Sequence, residues 1–241
     1  ARKMTQSEAY SELKRNYDGY HFTEEAPGMY NPFSLLNALH KRSFGSYWFE
    51  TGTPSYLVEL LKRHDFKLDE LKGNKVTANV LSAIDASSSN PISVIFQSGY
   101  LTISGYNERY KLYSLDFPNE EVREGFMLYL MPYYTSVSVN KTGFQISCFV
   151  EEVKGGDITA FMTRLESFFA NVPYDLIKDT ENHYQNVLFI LCNLCGLYTK
   201  AEYHTSDGRV DMTIETPDYV YIFEFKYNGT AEEAMAQIKE K

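Results

Sequence analysis

Glu224 and Lys226 stand two residues apart near the end of the run Tyr219 to Tyr227, Tyr-Val-Tyr-Ile-Phe-Glu-Phe-Lys-Tyr. In a strand, residues i and i+2 share a face, so a carboxylate and an ammonium group lie side by side there. Upstream, Arg209-Val210-Asp211-Met212-Thr213-Ile214 alternates, with Val210, Met212 and Ile214 on one face and Arg209, Asp211 and Thr213 on the other. Thr216-Pro217-Asp218 is expected to turn this strand into the next, which sets Asp211 beside Glu224 and Lys226. Two close carboxylates repel unless a cation sits between them. Mg²⁺ suits that need, because it prefers hard oxygen ligands and is usually held by one or two carboxylates plus water and phosphate oxygens. A neighbouring lysine can position or deprotonate an attacking water, or neutralise developing phosphate charge. An isolated Glu-x-Lys is more often a plain ion pair. Three features favour the chemical reading: Asp211 on the adjacent strand, Glu181 on the inward stripe of the preceding helix, and a following helix that carries Gln237.

The elements that must position these groups read helix, strand, strand, strand, helix from Glu181 onward. The first helix carries Tyr184, Val187, Leu188, Leu191, Leu194 and Cys195 at helical spacing and stops at Gly196. Tyr198 to His204 is the first strand, and Thr205-Ser206-Asp207-Gly208 its turn. The third strand, apolar on both faces until its end, reads as a buried central strand. Thr230 and Glu233 form a capping box for the last helix.

Farther upstream, Asn31-Pro32, Thr53-Pro54 and Asn90-Pro91 each place a cap before proline at a helix start, and Gly99 is placed to end the third helix. Tyr100–Ser104 and Tyr110–Ser114 read as strands around Gly105-Tyr106-Asn107-Glu108, and Pro118-Asn119-Glu120-Glu121 restarts a helix. Helix, hairpin, helix in about forty residues resembles a winged-helix unit, and any small α+β packing gives the same pattern. Asn140 to Gly156 reads as the least regular stretch, and Asp157 caps an amphipathic helix with Phe161, Leu165 and Phe168 on its stripe. Asn171 to Thr180, with Pro173, reads as a loop.

The composition bounds the class. With 241 residues and 44% hydrophobic content the chain is not disordered, and no apolar run approaches the ~20 residues of a membrane span. A formal charge of −9 gives no bulk electrostatic footprint for nucleic acid. Three cysteines exclude a disulfide scaffold and suit a reducing, cytoplasmic setting. Cys192 and Cys195 form a single C-x-x-C inside a helix stripe and read as buried and structural. His21, His40, His64 and His204 show no ligand spacing, so zinc is not expected.

Glu181, the run Gly208-Arg209-Val210-Asp211, Glu224-Phe225-Lys226 and Gln237 resemble the motif series of the PD-(D/E)XK nuclease superfamily. Upstream, Tyr17-Asp18-Gly19-Tyr20-His21-Phe22, Tyr30-Asn31-Pro32-Phe33-Ser34-Leu35-Leu36, Tyr47-Trp48, Gln97-Ser98-Gly99-Tyr100-Leu101-Thr102-Ile103 and Pro118-Asn119-Glu120-Glu121-Val122 resemble the end of an AAA-ATPase-like module found before such nucleases in bacterial proteins. The resemblance implies an α+β chain: a helical and winged-helix-like part over residues 1–140, a connecting helical segment over 141–180, and a restriction-endonuclease-like α/β core over 181–241. That core would hold helix, three strands and helix but lack its final strand.

The resemblance also implies roles. Asp211, Glu224 and the Phe225 carbonyl would bind Mg²⁺ or Mn²⁺, and Lys226 would position the water nucleophile. Glu181 would orient the site or help hold a second metal, and Gln237 would brace it or touch phosphate. The implied partners are nucleic acid, DNA before RNA, and an upstream ATPase module of the same protein. ATP would bind only through that module, because no G-x-x-x-x-G-K-[S/T] loop occurs in these residues. The implied activity is metal-dependent phosphodiester hydrolysis. The alternatives are a catalytically silent nuclease-like binding or regulatory module, and a plain interaction domain with a surface ion network.

Overall fold

The computed structural model describes residues 4–51, 55–82, 91–135, 137–170, 180–196, 200–206, 209–226 and 229–240. Two units of mixed helix and small antiparallel sheet, an α+β composition, divide the chain within one helix, between Phe126 and Met127. None of the described helices is long and apolar enough to cross a membrane.

The first unit contains α1 (Gln6–Tyr17), α2 (Pro32–Lys41), α3 (Ser55–Arg63), β1 (Lys75–Val76), α4 (Ala78–Ser82), α5 (Pro91–Gln97), β2 (Thr102–Asn107), β3 (Leu112–Asp116) and the start of α6 (Glu120–Tyr134). The caps act as their chemistry dictates. The Asn31 side chain accepts from the Phe33 and Ser34 N–H groups at 3.0 and 3.2 Å, with Pro32 opening α2. Asn119 caps α6 through the Val122 N–H. Gly99, at φ +80°, follows α5, with the Tyr100 N–H reaching back to the Ile95 carbonyl. Thr53, Pro54 and Asn90 lie outside the described residues.

The three-stranded sheet runs in the order β1-β3-β2. Its hairpin differs from the sequence expectation. Gly105 and Tyr106 belong to β2, and a bulge falls between Ile103 and Gly105. The missing Cβ lets the strand absorb an extra residue there, so the turn moves to residues 108–111.

A buried carboxylate organises this unit. Glu121, 2% exposed, accepts from the Ser34 hydroxyl at 3.0 Å and from the Tyr47 and Trp48 N–H groups at 2.6 and 2.9 Å. One side chain in the first turn of α6 thereby fixes α2 and the Tyr47-Trp48 segment. Close backbone approach is also required at Gly19, φ +107°, where a Cβ would overlap the Pro118 carbonyl oxygen. Gly19→Ala is therefore expected to destabilise this unit by on the order of 3 kcal/mol, measured by urea unfolding followed through Trp48, the one tryptophan of the chain.

The second unit contains the rest of α6, α7 (Val139–Lys154), α8 (Ile158–Ala170), α9 (Thr180–Cys195), β4 (Lys200–Ser206), β5 (Arg209–Glu215), β6 (Val220–Lys226) and α10 (Ala231–Glu240), with residues 67–69 joined to it. The Leu68 N–H donates to Asn186 Oδ1 of α9 at 2.8 Å. The stretch read as irregular is instead the sixteen-residue α7. Ile146, Phe149, Val150 and Val153 form its buried stripe at helical spacing; Asn140, Thr142, Gly143 and Ser147, weak helix formers, hide that stripe in the sequence. Arg164 of α8 ties back to α7, donating to Glu152 Oε1 at 2.7 Å and to Gln145 Oε1 at 2.8 Å. Residues 171–179 of the expected loop lie outside the described residues.

Candidate active site

The sheet β4-β5-β6 is antiparallel throughout, and its two faces have different chemistry. On one, Met212, Ile214 and Phe223 are buried. The Phe223 ring lies 5.2 Å from Phe161 of α8, and the Tyr221 hydroxyl donates to the Val153 carbonyl of α7 at 2.8 Å. Phe161 and Phe168 in turn flank Phe149, each at 5.0 Å. The α7–α8 pair and its aromatic core thus cover this face and hold β6 in place.

The opposite face carries the polar residues. Asp211 is paired in register with Glu224, and Arg209 with Lys226. Directly opposed residues in an antiparallel pair have Cα atoms about 4.5–5.5 Å apart and project to the same side. The alternation read from sequence placed these residues on one face; the register makes Asp211 and Glu224 immediate neighbours. For Asp211, Lys226 and Gln237 the backbone alone is described; the Glu224 side chain is half-buried.

The register also brings in a histidine without ligand spacing in the sequence. His204 of β4 is paired with Asp211 on its other side, so His204, Asp211 and Glu224 form one row across three strands. The signal was present in Asp207-Gly208. Counting back from a two-residue Asp-Gly hairpin loop pairs Ser206 with Arg209 and His204 with Asp211.

β6 departs from its expected central place. Among the described strands it lies at the sheet edge and β5 is central, with Val220 and Ile222 66% and 58% exposed. A run apolar on both faces does not by itself distinguish these positions. Phe225 alternates away from Glu224 onto the aromatic face, stacking at 6.0 Å on Phe223, so only its carbonyl could serve a ligand on the polar side.

Two helices supply the remaining candidates. α9 packs on β4 and β5, and α10 on β6. Glu181 sits half-buried in the first turn of α9, its Oε1 accepting from Gln185 Nε2 at 3.3 Å. Gln237 lies in α10, whose start is closed by the reciprocal Thr230 and Glu233 cap at 2.9 and 3.2 Å. Cys192 and Cys195 are buried in α9, and burial pushes the Cys195 thiol up, away from thiolate chemistry. The His183 ring stacks on Tyr134 at 6.3 Å.

No group of three or more His, Cys, Asp or Glu that could hold a metal occurs among the described residues, a set that excludes the side chains of Asp211 and His204. The register pair Asp211 and Glu224 is the donor set that could hold a cation. It offers oxygen donors only, which match a hard divalent ion, and like charges placed directly opposite are otherwise destabilising.

Comparison with known proteins bears on the same segment. A family model described as the PD-(D/E)XK nuclease superfamily matches residues 179–241. Over 246 aligned residues the chain is 35% identical to a protein of Azotobacter chroococcum mcd 1 named "Uncharacterized protein in vnfD 5'region", covering 95% of this chain and 46% of that protein. The chain thus spans about half the length of the relative it matches. No solved structure matches. Residues 179–241, the segment that holds the sheet with Asp211 and Glu224 and the two helices packed on it, therefore carry a PD-(D/E)XK nuclease superfamily domain.

Proposed function

We propose that residues 179–241 hydrolyse phosphodiester bonds of nucleic acid with the help of a divalent cation, Mg²⁺ or Mn²⁺. The observation that carries this reading is the direct register of Asp211 with Glu224. These two carboxylates, with the Phe225 carbonyl, would hold the cation. The chemistry a bound cation supplies there is Lewis-acid polarisation of the phosphate and acidification of a water. Lys226, on the same face one pleat along from Glu224, positions the attacking water and offsets the charge that develops on phosphate. Glu181 orients the carboxylates from α9, and Gln237 braces the site from α10. Arg209, paired with Lys226, adds a second positive charge on the side where phosphate arrives.

His204 acts through Asp211: an imidazole beside a ligating carboxylate fixes its orientation. His204→Ala is expected to weaken Mn²⁺ binding by about 10- to 100-fold, with His204→Asn recovering part of the loss, both measured by isothermal titration of the purified chain.

The ATPase context rests on the resemblance of the Tyr17–Phe22, Tyr30–Leu36 and Gln97–Ile103 runs, with residues 1–140 as the winged-helix-like end of that module and 141–180 as the connection. DNA is the substrate favoured on this reading. One observation supports a second reading, a catalytically silent binding module: from Glu181 to Lys241 ten acidic residues face five basic ones, a poor match to a polyanion. Titrating Mg²⁺ or Mn²⁺ into the protein with single- and double-stranded DNA and RNA separates the two. Metal-dependent cleavage supports the nuclease; metal binding without cleavage of any of the four supports the silent module.

A further inference from the structure

The first unit contains a cavity of about 460 Å³, within the ~300–1,000 Å³ range of small-molecule sites. Five of its lining residues are aromatic: Tyr20, Phe22, Tyr30, Trp48 and Phe96. None of the fourteen lining residues is Asp, Glu, Lys or Arg, so a ligand whose affinity rests on phosphate, carboxylate or ammonium has no formal counter-charge there. What the walls offer instead is flat aromatic surface with a few neutral polar groups.

Those polar groups have defined hydrogen-bonding roles. The Asn31 carboxamide oxygen is engaged in capping α2, so what this side chain has left for a ligand is its NH₂, a donor that also meets the Tyr20 hydroxyl. Gln97 is the reverse: its Nε2 donates to the Leu81 carbonyl, which leaves its oxygen as the acceptor. The His21 Nδ1 donates to the Ala26 carbonyl at 2.9 Å, which in the neutral ring makes Nε2 the acceptor. Burial pushes the Tyr20 hydroxyl up to about 12, against a hydrogen bond from Asn31 and with the Glu121 charge adding to the effect, so it stays protonated throughout the neutral range.

The cavity is built into the fold. The His21 backbone is pinned by Thr102, whose Oγ1 accepts from the His21 N–H at 2.7 Å and donates to the His21 carbonyl at 3.0 Å. The Trp48 N–H is held by Glu121, and its ring packs edge-on against Tyr100 at 4.7 Å. Between Trp48 and Tyr20 stands Gly99, where a Cβ would come within 3.6 Å of Trp48 Cζ2 and 3.9 Å of Tyr20 Cε1.

We propose that this cavity binds an unstacked nucleobase, held between aromatic faces and read along its edge by the Asn31 donor and the Gln97 acceptor. Bases are the uncharged planar groups that combine a π-face with donors and acceptors along one edge. An aromatic amino-acid side chain uses the rings but leaves the paired amides unanswered. The base chemistry follows from the cavity alone; that the base arrives on a nucleic-acid strand rather than as a free nucleoside rests on the nuclease reading of residues 179–241.

Trp48 is both a wall of the site and the one tryptophan of the chain, so its emission reports occupancy without background. The experiment titrates the 241-residue protein, in chelator and without divalent metal, with adenosine, guanosine, cytidine and uridine, with a short single-stranded oligonucleotide, with an abasic oligonucleotide and with N-acetyl-phenylalanine amide. The expected result is saturable quenching by at least one nucleoside and by the base-bearing oligonucleotide, and none by the abasic strand. Phe22→Ala and Tyr30→Ala, at positions 69% and 38% exposed and therefore compatible with folding, are each expected to weaken binding by about tenfold. Quenching by nucleosides alone supports the base site and assigns it to free nucleosides. Absence of quenching by any nucleoside, equal quenching by the phenylalanine amide, or insensitivity to both substitutions overturns the proposal. Because no metal is present, these outcomes are independent of whether the chain cleaves nucleic acid.

Discussion

Asp211→Ala is expected to lower metal-dependent cleavage by on the order of 10³-fold or more, and Lys226→Ala by about 10²- to 10³-fold. The two losses differ in origin. Asp211 is paired with Glu224 across β5 and β6, so on the proposed function removing it would take one of two directly opposed oxygen donors from the cation, and divalent affinity would fall with activity. Lys226 lies on the same face one pleat farther along, paired with Arg209, where on the proposed function an ammonium would act on the water and the phosphate. Its alanine variant keeps metal affinity and loses turnover. Calorimetric titration with Mn²⁺ beside initial rates on one DNA substrate checks this division. An ion-pair role for the same residues gives a different pattern, in which both substitutions change stability and neither changes a metal titration.

The second large effect is structural. Glu121→Ala is expected to destabilise the first unit by roughly 3 kcal/mol, because it leaves the Tyr47 and Trp48 N–H groups and the Ser34 hydroxyl without their common acceptor in a buried position. Each orphaned group costs about 1–3 kcal/mol, partly recovered by local rearrangement. Glu121→Gln keeps an acceptor of the same shape and is expected to lose less than half as much. Denaturant unfolding followed by Trp48 emission measures the difference beside one of the bonds concerned. The same carboxylate positions Trp48 at the cavity wall, so the alanine variant also weakens any ligand that stacks there.

Local chemistry made much of this architecture legible. Asn31-Pro32, Asn119, Asp157 and the Thr230–Glu233 pair mark helix starts because a side-chain oxygen must meet the first N–H groups wherever a helix begins, and each does so. The strand alternation placed Asp211, Glu224 and Lys226 on one face for an equally local reason. The features that escaped depend on distance or on exceptions. α7 was hidden because Asn140, Thr142, Gly143 and Ser147 lower its propensity while Ile146, Phe149, Val150 and Val153 secure it by packing. The Gly105 bulge moved the first hairpin's turn. The pairing of His204 with Asp211 depends on loop length, since one residue more or less would shift the whole row. The cavity draws its walls from separated segments around Tyr20, Tyr30, Trp48 and Phe96, and Glu121 finds its donors more than seventy residues away; neither leaves a periodic trace.

The central claim is that Asp211 and Glu224 together hold a divalent cation. Mn²⁺ binding followed by electron paramagnetic resonance, on the unmodified chain and on Asp211→Asn and Glu224→Gln, tests it most directly. The expected result is one class of bound Mn²⁺ that either substitution abolishes, while Asp218→Asn, in the exposed turn between β5 and β6, leaves it unchanged. Absence of bound Mn²⁺ in the unmodified chain, or binding indifferent to both site substitutions, would contradict the claim.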